Sequence, residues 1–86
     1  MKRILRISSV RYLGDHRLYL EFNNGDSGEL DLSSELDGPI FQPLRDPNVF
    51  ATVMLEGGTI AWPNGADLAP EYLAERLVEQ AVAPNA

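Results

Sequence analysis

Residues 17–32, RLYLEFNNGDSGELDL, contain the pattern that decides the predicted fold. Apolar residues alternate with polar ones on both sides of a central turn signal: Leu18, Leu20 and Phe22 before it, and Leu30 and Leu32 after it. This period of two is typical of strands with one buried face. Between the two runs stands Asn24-Gly25, a pair that accepts the positive φ angles of a tight turn. The stretch therefore predicts an antiparallel β-hairpin.

The segment before this hairpin, RILRISSVRYL at residues 3–13, adds a third strand. Its apolar residues change parity at Ser8-Ser9, and one extra residue in a strand, a β-bulge, would restore the side-chain register. A short turn at 14–16 then leads into the hairpin. Residues 3–32 are therefore predicted to form a three-stranded antiparallel β-meander.

The second half of the chain predicts a second hairpin and one principal helix. The middle is interrupted by Pro39, Pro43 and Pro47. These prolines exclude a long helix or a central strand there. The runs TVML and TIAW then flank 56–58 as the strands of a hairpin would. From Pro70 the apolar residues follow the helical period, in the stripe Leu73, Leu77, Val78, Ala81 and Val82.

These elements predict an α+β fold in one small domain, residues 1–86. It consists of a three-stranded antiparallel β-meander, a second β-hairpin, and a C-terminal amphipathic helix packed on the sheet.

The composition excludes several classes of function. The 86 residues include no cysteine, so disulfides, thiol catalysis and thiolate metal sites are excluded. No segment reaches the roughly 20 apolar residues of a membrane-spanning helix, and MKRILRISSV lacks the apolar run of a signal peptide. We therefore expect a cytoplasmic protein without a membrane partner.

The net charge of −6 is distributed unevenly along the chain. Five basic residues and one acidic residue occur up to Arg17, whereas two basic and twelve acidic residues follow it. An acidic protein repels phosphate backbones, so nucleic acid is not expected as a partner. The same balance favours a protein partner, in particular a basic one. The uncovered sheet edges of so small a fold also favour a homodimer.

No combination of residues predicts catalysis or a bound cofactor. His16, the only histidine, stands in a predicted turn, where a triad base would be neither oriented nor shielded from water. A solvated turn residue is the preferred interpretation. The acidic residues at 26–37 lack the spacing of a calcium loop, and neither a P-loop nor a GxGxxG motif is present. We predict no catalytic residue, no metal ligand and no cofactor, which favours a non-enzymatic role over an enzymatic one.

Residues 60–73, IAWPNGADLAPEYL, come closest to a functional signature. Trp62 could form the aromatic wall of a pocket whose polar groups come from Asn64, Asp67 and Glu71. A tight turn followed by a capped helix start explains the same spacing without a ligand. We favour this structural corner and retain the four residues as the candidate binding site.

The longest motifs of the chain resemble those of a known family. PIFQPLRDPNVFATV at 39–53 and TIAWPNGADLAPEYL at 59–73 are similar to the small bacterial proteins of domain of unknown function family 2442. LYLEFNNGDSGELDL at 18–32 is similar to their N-terminal hairpin. The resemblance implies a small α+β fold and no established activity. Ala69 departs from the family, in which many members have a serine that can cap the helix.

The resemblance also implies a context for function. Some members accompany another small protein in the manner of toxin and antitoxin, and others are joined to a helix-turn-helix domain. We therefore predict an interaction or accessory module, antitoxin-like or regulatory, for another small protein. Two alternatives stay open. One is a small-molecule-binding or enzymatic domain with a pocket near Trp62 and Asp67, and the other is a DNA-binding accessory that uses the basic N-terminal strand.

Overall fold

The structure, a computed structural model, describes residues 4–81. Its elements are β1 (Ile7–Gly14), β2 (Arg17–Phe22), β3 (Ser27–Asp31), a 3₁₀ turn (Gln42–Arg45), α1 (Pro47–Phe50), β4 (Met54–Glu56), β5 (Thr59–Ala61), β6 (Asp67–Leu68) and α2 (Pro70–Ala81). The strands form two three-stranded antiparallel sheets, in the orders β1-β2-β3 and β4-β5-β6. The predicted α+β fold is confirmed. The predicted strand start at residue 3 and the predicted helical position Val82 lie outside the described residues.

The first sheet is the predicted meander. Leu18 in β2 lies opposite Leu30 in β3, and both side chains are buried. The predicted bulge is present, because the register between β1 and β2 shifts between Ile7 and Ser9. The alternating residues on the other face remain at least partly exposed. One face of this sheet therefore covers the core, and the other faces outward.

The second sheet contains the predicted hairpin and one strand that the sequence did not predict. Leu55 lies opposite Ile60 across β4 and β5. Strand β6 pairs with the other side of β5, where Leu68 lies opposite Ile60. The turn between β5 and β6 closes where the Ala66 carbonyl accepts a hydrogen bond from the Trp62 N–H at 2.9 Å. With two residues, β6 is too short to show an alternating pattern.

Two aromatic side chains occupy the centre of the core. Trp62 and Phe50 are buried, and their ring centroids are 5.4 Å apart. Phe50 reaches this position at the end of α1, which begins where the Asp46 carboxylate accepts a hydrogen bond from the Asn48 N–H at 2.9 Å. The other large core side chains come from both sheets, the loops and α2: Ile7, Leu18, Leu20, Phe22, Leu30, Leu32, Leu36, Leu44, Ile60 and Leu73.

The turn between β1 and β2 differs from the expectation of a solvated histidine. Asp15 and His16 adopt positive φ angles of 53° and 61°, as a tight two-residue turn requires. The His16 ring is half-buried, and its Nε2 lies 2.9 Å from the Leu44 carbonyl oxygen. The ring also meets Phe50 edge-on, with centroids 4.8 Å apart. His16 therefore fastens the 3₁₀ turn that contains Leu44 to the meander.

Helix α2 begins at Pro70, as predicted, and packs beside β3. Leu73 is buried and Leu77 packs against the core, whereas Val78 is 63% exposed. No helix within residues 4–81 is long and apolar enough to cross a membrane.

Candidate functional site

Two of the four predicted binding residues use their polar atoms inside the protein. Trp62 is 1% exposed, and its indole N–H donates to the Phe50 carbonyl at 2.9 Å. The Asn64 side-chain amide donates to the Ile40 carbonyl at 2.9 Å, and its oxygen accepts from the Ala66 N–H at 3.1 Å. The bonds to Phe50 and Ile40 fasten the turn between β5 and β6 to the end of α1 and to the loop before the 3₁₀ turn, and the bond from Ala66 lies within the turn. The indole ring lies in the core and forms no wall of an open pocket.

Asp67 and Glu71 lie on the surface. Asp67 belongs to β6, where its backbone pairs with Ala61, and Glu71 lies in the first turn of α2. Within residues 4–81 neither carboxylate forms an ion pair, and Asp67 does not cap α2. The same part of the chain has no group of three or more acidic or histidine side chains that could hold a metal ion. Ligand binding by the four residues stays a prediction.

The arginines of residues 4–81 fall into two groups. Three of them form ion pairs: Arg17 with Glu29 at 2.9 Å, Arg45 with Asp37 at 3.7 Å, and Arg76 with Glu35 at 3.7 Å. In this part of the chain, Arg6 and Arg11 have no carboxylate within ion-pair distance. Arg6 stands just before β1 and Arg11 lies within it. The two arginines of residues 4–81 without a carboxylate partner therefore lie just before and within one strand.

Strand β1 presents these two arginines in different ways. The Arg11 guanidinium lies over the ring of Tyr19, its neighbour across β2, at 5.8 Å from the ring centroid. Arg6 extends along the turn between β4 and β5, where a Cβ on Gly58 would lie 3.0 Å from the Arg6 Nη1. β1 is also an edge of the first sheet. We call Arg6, Arg11 and Tyr19 the β1 surface.

A second polar cluster joins α2 to the loop after β3. The Tyr72 hydroxyl donates a hydrogen bond to the Glu35 carboxylate, and an Arg76 nitrogen lies 3.7 Å from that carboxylate. The pKa of Tyr72 is raised to about 12, first by burial and then by the hydrogen bond and the negative charge of Glu35. Sequence analysis did not find this cluster, because Tyr72 and Glu35 are 37 positions apart and share no local pattern.

We expect one tyrosine of the protein to ionise near pH 12 instead of near its ordinary value of 10. Because folding raises this pKa, the stabilisation it contributes is complete below pH 10 and is lost as the pH rises towards 12. A titration of phenolate absorbance measures the step, and Tyr72→Phe should remove that step alone. Glu35→Gln should shift it to lower pH. An unchanged step in Glu35→Gln would contradict the assignment.

The chain shares its fold with known proteins. Residues 7–79 match the family described as Protein of unknown function (DUF2442). No curated protein matches the chain. Among solved structures, "Putative DNA Binding Protein NE0471" from Nitrosomonas europaea ATCC 19718 is 26% identical and superposes with a TM-score of 0.77. The match covers 91% of this chain and 52% of that one, so this chain spans about half the length of that relative.

This relative corrects the prediction about nucleic acid. The acidic net charge led us to expect that nucleic acid is not a partner, and that prediction is wrong, because a protein of the same fold is named for DNA binding. Net charge was a poor guide since it averages over the whole chain. Within residues 4–81, the arginines without a carboxylate partner are Arg6 and Arg11, which lie just before and within β1.

Proposed function

This chain belongs to the DUF2442 family, whose function is unknown, and we propose that it is a non-enzymatic module that binds DNA through the β1 surface. The observation that carries the proposal is the position of Arg6 and Arg11, the arginines of residues 4–81 without a carboxylate partner. The name of the N. europaea relative supports the same class of ligand. We also propose a cytoplasmic location, where the chain would meet DNA directly.

The β1 surface has the chemistry that a phosphate backbone requires. A guanidinium donates two parallel N–H bonds to phosphate oxygens, which fixes both distance and orientation. Arg11 is exposed, so its N–H donors stay accessible while the cation lies over the Tyr19 ring. Nucleic-acid bases stack on aromatic rings and on arginine, so this pair also suits an unpaired base.

The acidic remainder of the chain restricts how DNA can approach. Residues 4–81 contain thirteen acidic side chains and five arginines. Phosphates are repelled by surfaces rich in carboxylates and attracted to the β1 surface. We therefore expect modest affinity that depends on about two phosphate contacts, with log K falling against log salt at a slope near −2.

Removing one arginine from the β1 surface should remove about one phosphate contact. In anisotropy titrations of a short labelled duplex between about 50 and 200 mM salt, Arg11→Ala should reduce the slope from about −2 to about −1. Arg45→Ala is the matched control, because it removes one exposed arginine that pairs with Asp37 on another surface. The control should retain the wild-type slope.

Two results would count against the proposal. The first is the absence of salt-dependent affinity in the wild type, which would also follow if DNA contacts of the longer N. europaea protein came from its other half. The second is an equal loss of affinity in Arg11→Ala and Arg45→Ala, which would indicate a response to net charge and not to the β1 surface.

An accessory role beside another small protein, which the family resemblance implies, is compatible with DNA binding at β1. The first sheet has two edges, and β1 is one of them. The other edge stays available for a protein.

A further inference from the structure

The opposite edge of the first sheet, strand β3, has backbone groups that face away from the sheet. The ladder between β2 and β3 is hydrogen-bonded where the Phe22 N–H donates to the Asp26 carbonyl at 2.8 Å. Hydrogen-bonded and non-hydrogen-bonded pairs alternate in an antiparallel ladder. The N–H and C=O groups of Ser27, Glu29 and Asp31 are therefore directed outward, away from β2.

At one end of this edge, a side chain of α2 already bonds to the outward backbone groups. The Asp31 N–H donates to Gln80 Oε1 at 3.0 Å, and Gln80 Nε2 donates to the Asp31 carbonyl at 2.7 Å. A side-chain amide thus makes the two bonds that a paired strand would make. Within residues 4–81, no group does the same for Ser27 and Glu29. Their outward backbone groups can accept a partner strand.

A groove between β3 and α2 follows this open edge. Two adjoining hollows of about 270 and 260 Å³ are both lined by Ser27, Leu77 and Ala81. Val78, which is 63% exposed, continues the apolar side of the groove. The helix approaches the strand closely because residue 28 is glycine: a Cβ on Gly28 would lie 3.0 Å from Leu77 Cδ1. The groove therefore combines open backbone groups on one side with apolar side chains on the other.

The charged side chains that line the groove are acidic. They are Asp26, Glu29 and Asp31, and no basic residue of the described chain lines the groove itself. Glu29 is paired with Arg17 of β2 at 2.9 Å, whereas Asp26 and Asp31 form no ion pair within residues 4–81. Burial alone would raise the pKa of Asp31, but the hydrogen bonds from Ser33 and the charges of Arg17 and His16 together outweigh it, so this pKa lies below its ordinary value. Asp31 is therefore ionised at neutral pH, and the groove attracts positive charge.

We infer that this edge binds an extended segment of a partner protein in which basic and apolar residues alternate, by strand addition to β3. The added strand would pair with the outward N–H and C=O groups of Ser27 and Glu29. Its side chains on one face would lie beside the carboxylates of Glu29 and Asp31, which selects basic residues. Side chains on the other face would meet Leu77 and Val78, which selects apolar residues.

A second copy of this chain fits the edge less well. Pairing of two β3 edges would bring the acidic linings of two grooves together. Like charges placed opposite each other destabilise a pair of strands. The charge of the groove therefore favours a partner segment of opposite sign over self-association.

Peptide binding combined with amide hydrogen exchange tests the inference on the full chain. The probe is a synthetic peptide of about six residues that alternates Lys and Val, and a Glu–Val peptide of the same length is the charge control. The Lys–Val peptide should slow exchange at the amides of Ser27 and Glu29 by about tenfold or more. The Asp31 amide, which already bonds to Gln80, should change little. The Glu–Val peptide should leave all three amides unchanged.

A matched pair of variants tests the charge of the groove. Glu29→Lys should weaken binding of the Lys–Val peptide about tenfold, because it places a like charge beside the added strand and also deprives Arg17 of its carboxylate partner. Glu56→Lys makes the same substitution at an exposed position of β4 and should change the affinity by less than about twofold.

Several outcomes overturn the inference. They are failure of the Lys–Val peptide to bind, binding without protection of Ser27 and Glu29, equal binding of the two peptides, and equal loss in the two variants. Protection of these amides without peptide also overturns it. Such protection indicates a second copy if it rises with protein concentration, and residues 82–86 of the chain itself if it does not.

Discussion

Replacing Trp62 by alanine is expected to lower the free energy of unfolding by about 3–5 kcal/mol, a large fraction of the stability of a chain of this size. The indole is 1% exposed and packs against Phe50, so its removal leaves a cavity at the centre of the core. The Phe50 carbonyl also loses its hydrogen bond from the indole N–H at 2.9 Å. Urea unfolding followed by circular dichroism measures the loss without depending on the only tryptophan.

Trp62→Phe separates the two contributions. Phenylalanine keeps an aromatic ring against Phe50 but supplies no N–H donor. The Phe50 carbonyl keeps its hydrogen bond from the Val53 N–H at 3.2 Å and loses only the one from the indole, so we expect a smaller loss of about 0.5–1.5 kcal/mol. Glu71→Ala, an exposed change in the same sequence motif, should stay within about 0.5 kcal/mol of the wild type. If Trp62→Ala were as stable as Glu71→Ala, Trp62 would not be a structural residue of the core.

The parts of the fold with a strong local period could be predicted from the sequence. Residues 17–32 show the period of a strand on both sides of a turn, and Pro70–Ala81 shows the period of a helix. Strand β6 was missed because Asp67 and Leu68 are too few to carry a period. The sequence predicted the turn at Asn64 but not the short strand β6 that follows it.

The parts that could not be predicted are contacts between distant positions. The pair Gln80 and Asp31 is separated by 49 positions, and the pair Tyr72 and Glu35 by 37. Both contacts depend on where α2 lies against β3 and the loop that follows, and no local pattern encodes that placement. Ion pairs are also contacts between distant positions. The composition predicts the net charge of the chain, but only the fold decides which arginines have a carboxylate partner.

The candidate site was also predictable only in part. The turn that holds Trp62 was predicted as a structural corner in preference to a binding site; the indole is buried, and the choice between the two stays a prediction. Sequence cannot tell whether a polar side chain points to solvent or bonds to a backbone. Asn64 bonds to the Ile40 carbonyl, 24 positions away, whereas Asp67 and Glu71 remain exposed.

The two edges of the first sheet differ in charge, which separates the two proposed contacts. The β1 surface carries Arg6 and Arg11, and the groove at β3 is lined by carboxylates. DNA would be attracted to the first edge and repelled by the second, and a basic peptide the reverse. Each contact can therefore fail its test without affecting the other.

Replacing Leu73 by alanine is expected to cost about 2–5 kcal/mol and to release α2 from the sheet. Leu73 is fully buried, whereas Ala74 and Leu77 are only partly buried against the core. A helix of 12 residues is marginally stable without tertiary packing, so a released α2 should also lose helical structure. Loss of the helix would remove Gln80 from the Asp31 backbone and abolish the groove.

Val78→Ala is the control for this change, since it removes apolar volume from the same helix at a position that is 63% exposed. We expect it to change the unfolding free energy by less than about 0.5 kcal/mol. Urea unfolding measures both variants, and hydrogen exchange at the Asp31 amide reports on the docking of α2 through its bond to Gln80. Exchange at Asp31 should accelerate in Leu73→Ala and stay unchanged in Val78→Ala. If Leu73→Ala lost stability while Asp31 remained protected, α2 would be held by its contacts along the groove, and Leu73 would stabilise the core without controlling the helix.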